Sequence, residues 1–431
     1  MYVQNFAVRH KSTTNFLYSQ TCVSILFVGY ILAQVPSNLL LSRFRKPAIY
    51  LPSVMIIWGI ISGATAAAHS YHAVVAIRFC LGFIEAAYFP GCLYFLSEWY
   101  TRKELGLRTS LLYSGSLISG AFSGLIAAGI TKGMDGIRGL SAWRWMFLLE
   151  GIATVVIAAI AYFVLPNFPS TTKWLSQQER DLAVYRLQAD VGEAETEDEQ
   201  FGFFHGFVLC LKDYKTYLLL GTLFGITSSA SVTNFFPTVV ATLGYNKINT
   251  LLLTAPPYLL AFITASLNAW HADKTGERFL HIVLPLCVSL IAFILAAATT
   301  KTAPRYIAMM LMPPSFYMSF VVTLTWISNT LVRPASKRAA SLALINCLSN
   351  TTSIYASYMY TSNFAPRYTI AFGVNCATAL MAIIAAFSLR IVLGRLNKKL
   401  DRGEYVPGVP MGAAAAGNGS EGKQKGFRFL L

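Results

Sequence analysis

The stretch WMFLLEGIATVVIAAIAYFVL, residues 145–165, decides the fold because Glu150 is the only charged residue among its 21 positions. A helix needs about 20 mostly apolar residues to cross a bilayer, and ten further runs of comparable length occur along the chain. The sequence therefore predicts an all-α integral membrane protein with eleven transmembrane helices. The predicted helices cover residues 16–41, 48–68, 74–96, 107–130, 145–165, 217–240, 251–270, 279–299, 306–332, 339–360 and 368–389.

The composition excludes a water-soluble protein. Only 12% of the 431 residues are charged and 55% are hydrophobic, whereas soluble domains contain about a quarter charged residues. The apolar runs are too long for the strands of a membrane β-barrel, which span about ten residues. The net charge of +15 is typical of the cytoplasmic loops of a membrane protein. The expected partner is therefore a lipid bilayer and not a nucleic acid, and we expect a monomer.

The distribution of Lys and Arg predicts the orientation in the membrane. Alternate connections between the runs hold 24 of these residues on one side and 9 on the other. Cytoplasmic loops carry the excess of Lys and Arg. The amino terminus is therefore predicted outside, and the carboxyl terminus and the acidic run at 193–199 are predicted inside, with the plasma membrane as the expected location.

One long polar connection divides the predicted helices into five before it and six after it. Two short basic loops, residues 38–47 and 268–278, look like counterparts in two repeated halves. If they correspond, the first half lacks its first helix. The predicted organisation is an incomplete amino-terminal bundle at 1–165, a cytoplasmic central loop at 166–214, a carboxyl-terminal bundle at 215–394 and a disordered cytoplasmic tail at 395–431.

Six stretches carry a more specific resemblance that covers nearly the whole chain. They are FVGYILAQVPSNLLL (27–41), RFCLGFIEAAYFPG (78–91), WRWMFLLEG (143–151), TAPPY (254–258), KRAASLALIN (337–346) and APRY (365–368). Together and in this order, they resemble the fungal allantoate-permease branch of the anion:cation symporter family, within the major facilitator superfamily. Asp273, Gly276 and Arg278 are similar to the loop signature of that superfamily, and we expect a structural or gating role for them.

This resemblance implies two helical bundles that alternately expose a central site to the two sides of the membrane. It also implies proton-coupled import of a small organic anion, typically a carboxylate such as allantoate or a vitamin acid. The first helix of the family carries part of its substrate site, and that helix is the one expected to be absent here.

Charged residues inside the predicted helices indicate a site independently of the resemblance. Arg78, Glu85 and Glu150 lie clearly within spans, where a central charge costs roughly 2.5–3.5 kcal/mol on insertion scales. Arg78 and Glu85 are seven residues apart, which is almost two helical turns, so both side chains point the same way. We expect Arg78 to bind the substrate carboxylate through its planar fork and Glu85 to carry the proton. A structural network with neighbouring helices is the alternative for both, and Glu150 is expected to be structural.

Other intramembrane polar and aromatic residues are weaker candidates. Asn38, Asn346 and Tyr258 are expected to bind substrate, although hydrogen bonding between helices and packing explain such residues as well. The seven cysteines and six histidines show no metal-ligand or nucleophile spacing. We therefore expect neither a metal nor a cofactor. A proton-coupled carrier is the favoured function; an inactive or sensor-type remnant of a transporter and a membrane enzyme are the alternatives.

Overall fold

A computed structural model describes residues 13–191, 204–245, 247–356, 358–360, 365, 367–406, 409 and 427–431. Every regular element within these ranges is helical, so the predicted all-α fold is confirmed. Numbered in chain order, the α-helices are α1 Thr13–Phe44, α2 Pro47–Ala64, α3 Tyr71–Glu85, α4 Tyr88–Ser97, α5 Leu105–Met134, α6 Ala142–Val164, α7 Gln177–Val191, α8 His205–Lys212, α9 Tyr214–Ala230, α10 Phe236–Ala241, α11 Lys247–Thr275, α12 Phe279–Ala298, α13 Thr302–Thr330, α14 Ala335–Asn350, α15 Thr352–Ala356 and α16 Thr369–Asp401.

The amino ends of several helices follow from the local sequence. Pro47 stands in the first turn of α2, where its missing N–H costs no hydrogen bond. The Ser70 hydroxyl accepts a hydrogen bond from the Ala73 N–H at 3.2 Å and caps α3. Asp213 caps α9 by accepting from the Lys215 N–H at 3.0 Å. Such caps satisfy N–H groups that have no partner within the helix.

The helices form two groups that meet along two seams. In the first group α1 packs on α3 and α2 packs on α6; in the second, α9 packs on α16, and α13 packs on α11 and α12. Contacts between α5 and α11 form one seam, and contacts between α1 and α14 form the other. Residues on α1 and α14 therefore lie at the junction of the two groups.

The outer surface of the bundle is apolar. Phe163 is 91% exposed, and Ile60 and Leu32 are more than half exposed. Water-soluble monomers rarely expose large contiguous apolar patches, so these side chains are suited to hydrocarbon. The bundle is accordingly that of an integral, multi-pass membrane protein.

Nine helices in the described part of the chain are long and apolar enough to cross a membrane, so the predicted count of eleven is not confirmed. The predicted run 217–240 divides into α9, the 3₁₀ turn Ser231–Phe235 and α10. Pro237 stands in the first turn of α10 and has no N–H with which to continue the preceding helix. The run 339–360 divides likewise into α14 and α15, because α14 ends at Asn350 among polar residues that favour turns.

The central connection contains helices that the loop prediction did not include. Ser176 and Glu179 form a capping box at the start of α7, in which the Ser176 N–H donates to Glu179 Oε2 at 2.8 Å and the Glu179 N–H donates to Ser176 Oγ at 3.3 Å. This S-x-x-E spacing is a sequence signal for a helix start. The acidic run 193–199 lies outside the described residues.

The predicted disorder from residue 395 onward is wrong at both described ends of the tail. Helix α16 continues to Asp401 because Leu400 packs into the bundle with 2% of its surface exposed. Residues 427–431 pack against one end of the helices, with Phe427 and Phe429 buried. We name this end the basic face; it also carries the α4–α5 and α11–α12 loops. Residues 410–426 lie outside the described part.

Candidate functional site

Four polar side chains from three helices gather near the seam between α1 and α14, and Arg78 of α3 lies within electrostatic range of one of them, Glu85. We name this set the polar cluster: Tyr30 and Gln34 on α1, Arg78 and Glu85 on α3, and Asn346 on α14. Glu85, Gln34 and Asn346 all lie close enough to Tyr30 to affect its hydroxyl, and Glu85 lies within electrostatic range of Arg78. Polar groups inside a membrane protein usually face a cavity or one another, so the cluster is the candidate site.

Arg78 keeps part of its hydrogen-bonding capacity unused. Its guanidinium carbon lies 5.0 Å from the centre of the Phe147 ring on α6, a distance that permits a cation–π contact. Cys22, Glu85 and Glu150 lie within electrostatic range of it. Arg78 Nε is buried and has no hydrogen-bond partner among the described residues. The side chain is therefore held by stacking while N–H donors remain for an anion.

Glu85 reaches Tyr30 because α3 crosses α1 at very short range. A Cβ added to Gly82 would collide with the Leu26 carbonyl oxygen, and one added to Gly29 would lie 3.0 Å from the Phe83 nitrogen. Glycines on both helices thus allow the two backbones to approach closely. This approach brings the half-buried Glu85 carboxyl beside residues of α1 that also contact α14.

The amides near the seam divide between binding and packing positions. Asn38 is fully buried and its Nδ2 donates to the Ala339 carbonyl oxygen of α14 at 3.0 Å, so it joins the two groups. Asn346 Nδ2 and both polar atoms of the Gln34 side chain are buried without a hydrogen bond of normal geometry among the described residues. The amides of Asn346 and Gln34 can therefore form hydrogen bonds with a further partner.

Gln34 is a member of the cluster that was not predicted from the sequence. A signal for it exists, because Tyr30, Gln34 and Asn38 follow one another at intervals of four residues. This spacing places all three side chains on one face of a helix. The position of Gln34 between two polar residues on one helix face would have identified it as a candidate.

Two other predicted residues lie apart from the polar cluster. Glu150 is within electrostatic range of Arg78, but its side chain is exposed on α6. Tyr258 on α11 belongs to an aromatic cluster at the other seam, with Tyr317 on α13 at a ring distance of 6.4 Å. Tyr113 on α5 extends that cluster across the seam at 5.5 Å from Tyr317. The structure thus places Glu85 and Asn346 beside Tyr30 and Arg78 within electrostatic range of Glu85, whereas Tyr258 lies elsewhere.

The basic face holds the two groups together through Asp273 and Arg278. Arg278 Nη2 lies 2.8 Å from Asp273 Oδ1, and Asp273 Oδ2 accepts from the Leu107 N–H at 2.8 Å across the seam. Gly276 has a φ of +70°, which glycine adopts at little cost, and it turns the chain so that Arg278 can return to Asp273. All three predicted gating residues therefore lie in one inter-group contact.

Arg102 and the pair Glu98–Arg338 complete this contact and were not predicted. The Arg102 carbonyl oxygen accepts from Arg278 Nη2 at 2.9 Å and from Asn329 Nδ2 at 3.2 Å. Glu98, the residue that follows α4, forms an ion pair with Arg338 of α14. These partners are more than 170 residues apart in sequence, so no local spacing could have revealed them.

Asp213 forms a buried charge cluster at the start of α9. Lys337 Nζ lies 2.6 Å and Lys215 Nζ 3.5 Å from Asp213 Oδ2. Burial acts to raise the pKa of Asp213, but Lys215 and Lys337 outweigh it, so the pKa lies below its usual value. The carboxylate therefore remains ionised at neutral pH and links α9 to α14.

Metal chemistry has no support in the described residues. No group of three or more His, Cys, Asp or Glu side chains there could hold a metal ion. All seven cysteines, each inside the described ranges, are free thiols.

Comparison with known proteins identifies the family. The sequence model of the family described as the Major Facilitator Superfamily matches residues 9–357. The chain belongs to the major facilitator superfamily. The MFS transporter prlL from a fungal species (strain NRRL 50135) is 32% identical over 393 residues, which cover 90% of this chain and 78% of that protein. An Agrobacterium vitis protein named "Putative tartrate transporter" is 30% identical over 330 residues, covering 76% and 73% of the two chains.

Solved structures agree on the major facilitator fold. The proton:xylose symporter XylE bound to 6-bromo-6-deoxy-D-glucose superposes with a TM-score of 0.67 and 16% sequence identity, over 90% of this chain and 88% of that one. At this identity the likeness concerns the fold. As a member of the major facilitator superfamily, the chain is a secondary transporter of the membrane and not an enzyme.

Proposed function

We propose that this transporter carries a small organic anion of the carboxylate class together with protons, by alternating access. The observation that carries the proposal is the polar cluster, in which a cationic donor, Arg78, and an acid, Glu85, stand on one face of α3 beside the seam of the two groups. The resemblance to the allantoate-permease branch supports an anion such as allantoate. The name of the Agrobacterium vitis relative supports the same chemical class.

Arg78 is the proposed anion-binding residue. Its planar guanidinium can donate two parallel hydrogen bonds to a carboxylate, and its buried Nε has no partner among the described residues. The amides of Gln34 and Asn346 are proposed to donate hydrogen bonds to the remaining oxygens of the substrate. Asn38, by contrast, is proposed to hold the seam, since its Nδ2 is occupied by Ala339.

Glu85 is the proposed proton carrier. Burial away from water favours its neutral form, while the positive charge of Arg78 favours the carboxylate. A bound anion neutralises Arg78 and so makes protonation of Glu85 easier. Because coupling between two ligands is reciprocal, a protonated Glu85 strengthens anion binding by the same factor, which is the basis of symport.

The two groups are proposed to act as the moving bundles, with boundaries near residues 165 and 215. The seams α5–α11 and α1–α14 would then open and close on opposite sides of the polar cluster. We further propose that the basic face is cytoplasmic, in the plasma membrane, because the connections richer in Lys and Arg lie there. A tag after Gly403 should then react only with reagents that enter the cytoplasm, whereas reaction from outside would contradict this orientation.

The experiment that tests the function uses Glu85→Gln, which imitates the protonated acid. In proteoliposomes, the variant should still exchange a labelled carboxylate across the membrane but should no longer concentrate it under a proton gradient. Tartrate and allantoate are the first probes. Glu150→Gln is the matched control, because it removes an exposed carboxylate, and it should still concentrate the probe. Accumulation by Glu85→Gln at the wild-type level would refute the coupling role.

A further inference from the structure

Residues 427–431 occupy a groove on the basic face that is built from both helical groups. We infer that this groove is a binding site for the chain's own FRFLL segment, and that the bound segment latches the two groups together on this face. The latch regulates the carrier proposed above and rests on that function, whereas the binding of the segment can be tested without it.

The segment is recognised first through its backbone. Asn397 of α16 pairs with Phe429 twice, because its Nδ2 donates to the Phe429 carbonyl oxygen at 2.9 Å and its Oδ1 accepts from the Phe429 N–H at 2.8 Å. Trp326 Nε1 of α13 donates to the Leu430 carbonyl oxygen at 2.9 Å. The N–H groups of Arg278 and Phe279 both donate to a Leu431 oxygen. Paired N–H and C=O contacts of this kind are how proteins bind non-helical peptides.

Aromatic side chains anchor the same segment. Phe427 and Phe429 are 6% and 4% exposed, and their ring centres lie 5.1 Å apart, since alternate residues of an extended chain share a side. The Arg102 guanidinium carbon stacks 4.4 Å from the centre of the Phe427 ring, and Lys215 Nζ lies 5.0 Å from the centre of the Phe429 ring. Such buried aromatic anchors dominate the energetics of binding.

Charge complementarity fixes the segment in one register. Arg428, between the two anchors, forms an ion pair with Asp401 at 2.7 Å. Its carbonyl oxygen accepts from Arg102 Nη1 at 2.9 Å. Every position from 427 to 429 therefore has its own partner, and a shift by one residue would break them together.

The partners of the segment belong to both moving groups. Arg102 lies in the α4–α5 loop of the first group and is also held by Asp190 of α7 through Nε at 3.1 Å. Lys215, Arg278, Trp326 and Asn397 belong to the second group. Separation of the groups on this face must break the contacts of 427–431 with one of them. The bound segment consequently favours the state in which this face is closed.

Direct binding tests the groove. A fluorescent peptide with the sequence of residues 421–431, EGKQKGFRFLL, is titrated against purified full-length protein and against protein lacking 427–431. We expect at least about tenfold tighter binding to the shortened protein, because in the full chain the tethered segment competes at high effective concentration. A peptide with both phenylalanines replaced by alanine should not bind. Equal affinity for the two proteins, or no binding to either, would overturn the inference.

The rate at which a reagent reaches the basic face tests whether the segment latches the two groups together. Ser328 lines a cavity of about 250 Å³ between the groups at this face. In a background without native cysteines, Ser328→Cys is labelled with a maleimide. The double change Phe427→Ala and Phe429→Ala should accelerate labelling about fivefold, the factor expected for loss of a modest set of contacts, and the 421–431 peptide should restore the slow rate. Tyr405→Ala, which alters an exposed residue near the tail, is the control and should leave the rate unchanged.

If the peptide binds but the labelling rate of the double variant is unchanged, residues 427–431 bind to the basic face without latching the two groups together. Neither measurement depends on transport. Absence of carboxylate uptake with intact peptide binding would therefore count against the proposed carrier and not against the groove.

Discussion

Arg78 offers the sharpest test of how one residue can bind an anion inside the membrane. Arg78→Lys keeps the charge but loses the planar fork, so we expect uptake of a labelled carboxylate to fall by more than about tenfold, the loss that follows from a charge-assisted hydrogen bond. Initial rates in proteoliposomes measure this. Phe147→Leu is the matched control, because it removes only the ring on which Arg78 stacks. If both variants lose uptake equally, stacking and not anion binding is the role of Arg78.

Asp213 gives a pH-dependent prediction outside the membrane-spanning segments. Its pKa is lower in the folded protein than in an unfolded chain, where it is about 3.9, so its ionised form stabilises the fold above that value. This stabilisation is lost as the pH falls through the lower, folded pKa. Asp213→Asn should therefore reduce stability at pH 7 by about 1.5–3 kcal/mol. The difference from wild type should shrink as the pH falls below about 4.

Thermal unfolding in detergent, at pH 7 and again below about pH 4, measures this effect of Asp213. Asp181→Asn, an exposed position on α7, should behave as wild type throughout. If the difference in stability between Asp213→Asn and wild type persists unchanged in acid, the charge cluster is not the source of that difference.

The close crossing of α1 and α3 yields a prediction for a single element. Gly82→Ala places a methyl group against the Leu26 carbonyl oxygen, and backbone cannot yield as a flexible side chain can. We expect a severe loss of folded, monodisperse protein in size-exclusion chromatography. Gly115→Ala on α5 meets no atom within 4 Å and should be tolerated or slightly stabilising, by about 0.5–1 kcal/mol. Normal yields of Gly82→Ala would mean that α3 can move away from α1.

The elements show what a sequence can and cannot predict here. Unbroken apolar stretches such as 145–165 predict their helices, because the cost of burying backbone in lipid leaves no other structure. Pro237 is a sequence signal for the break that the predicted helix 217–240 passed over, and the capping box at Ser176 and Glu179 would have predicted α7. The partners of Asn38 and Arg102 were not predictable, since they are set by how α1 meets α14 and how the α4–α5 loop meets the second group. Helical periodicity alone was enough to predict that Arg78 and Glu85 share one face of α3.

The whole molecule must open along its seams if it transports by alternating access. Ser110 Oγ of α5 and Ser266 Oγ of α11 lie 3.2 Å apart, so cysteines at both positions should be close enough to cross-link. Oxidation of Ser110→Cys/Ser266→Cys should abolish uptake, and a reducing agent should restore it. The two variants that carry only one of these substitutions are the controls and should not respond. Full uptake by the cross-linked protein would exclude movement at this seam.

The contact at residue 102 has a consequence for tolerance to mutation. Arg278 and Asn329 both donate to the carbonyl oxygen of Arg102, and every amino acid supplies such an oxygen. In a saturation mutagenesis library, substitutions at 278 and 329 should be depleted broadly, because most side chains carry no donor for this oxygen and Arg278 also pairs with Asp273. Substitutions at 102 keep this acceptor, so their depletion should measure only what the Arg102 side chain contacts, which is Asp190 and residues 427–428. Selection at position 102 therefore acts through its side chain, and not through the oxygen that Arg278 and Asn329 share.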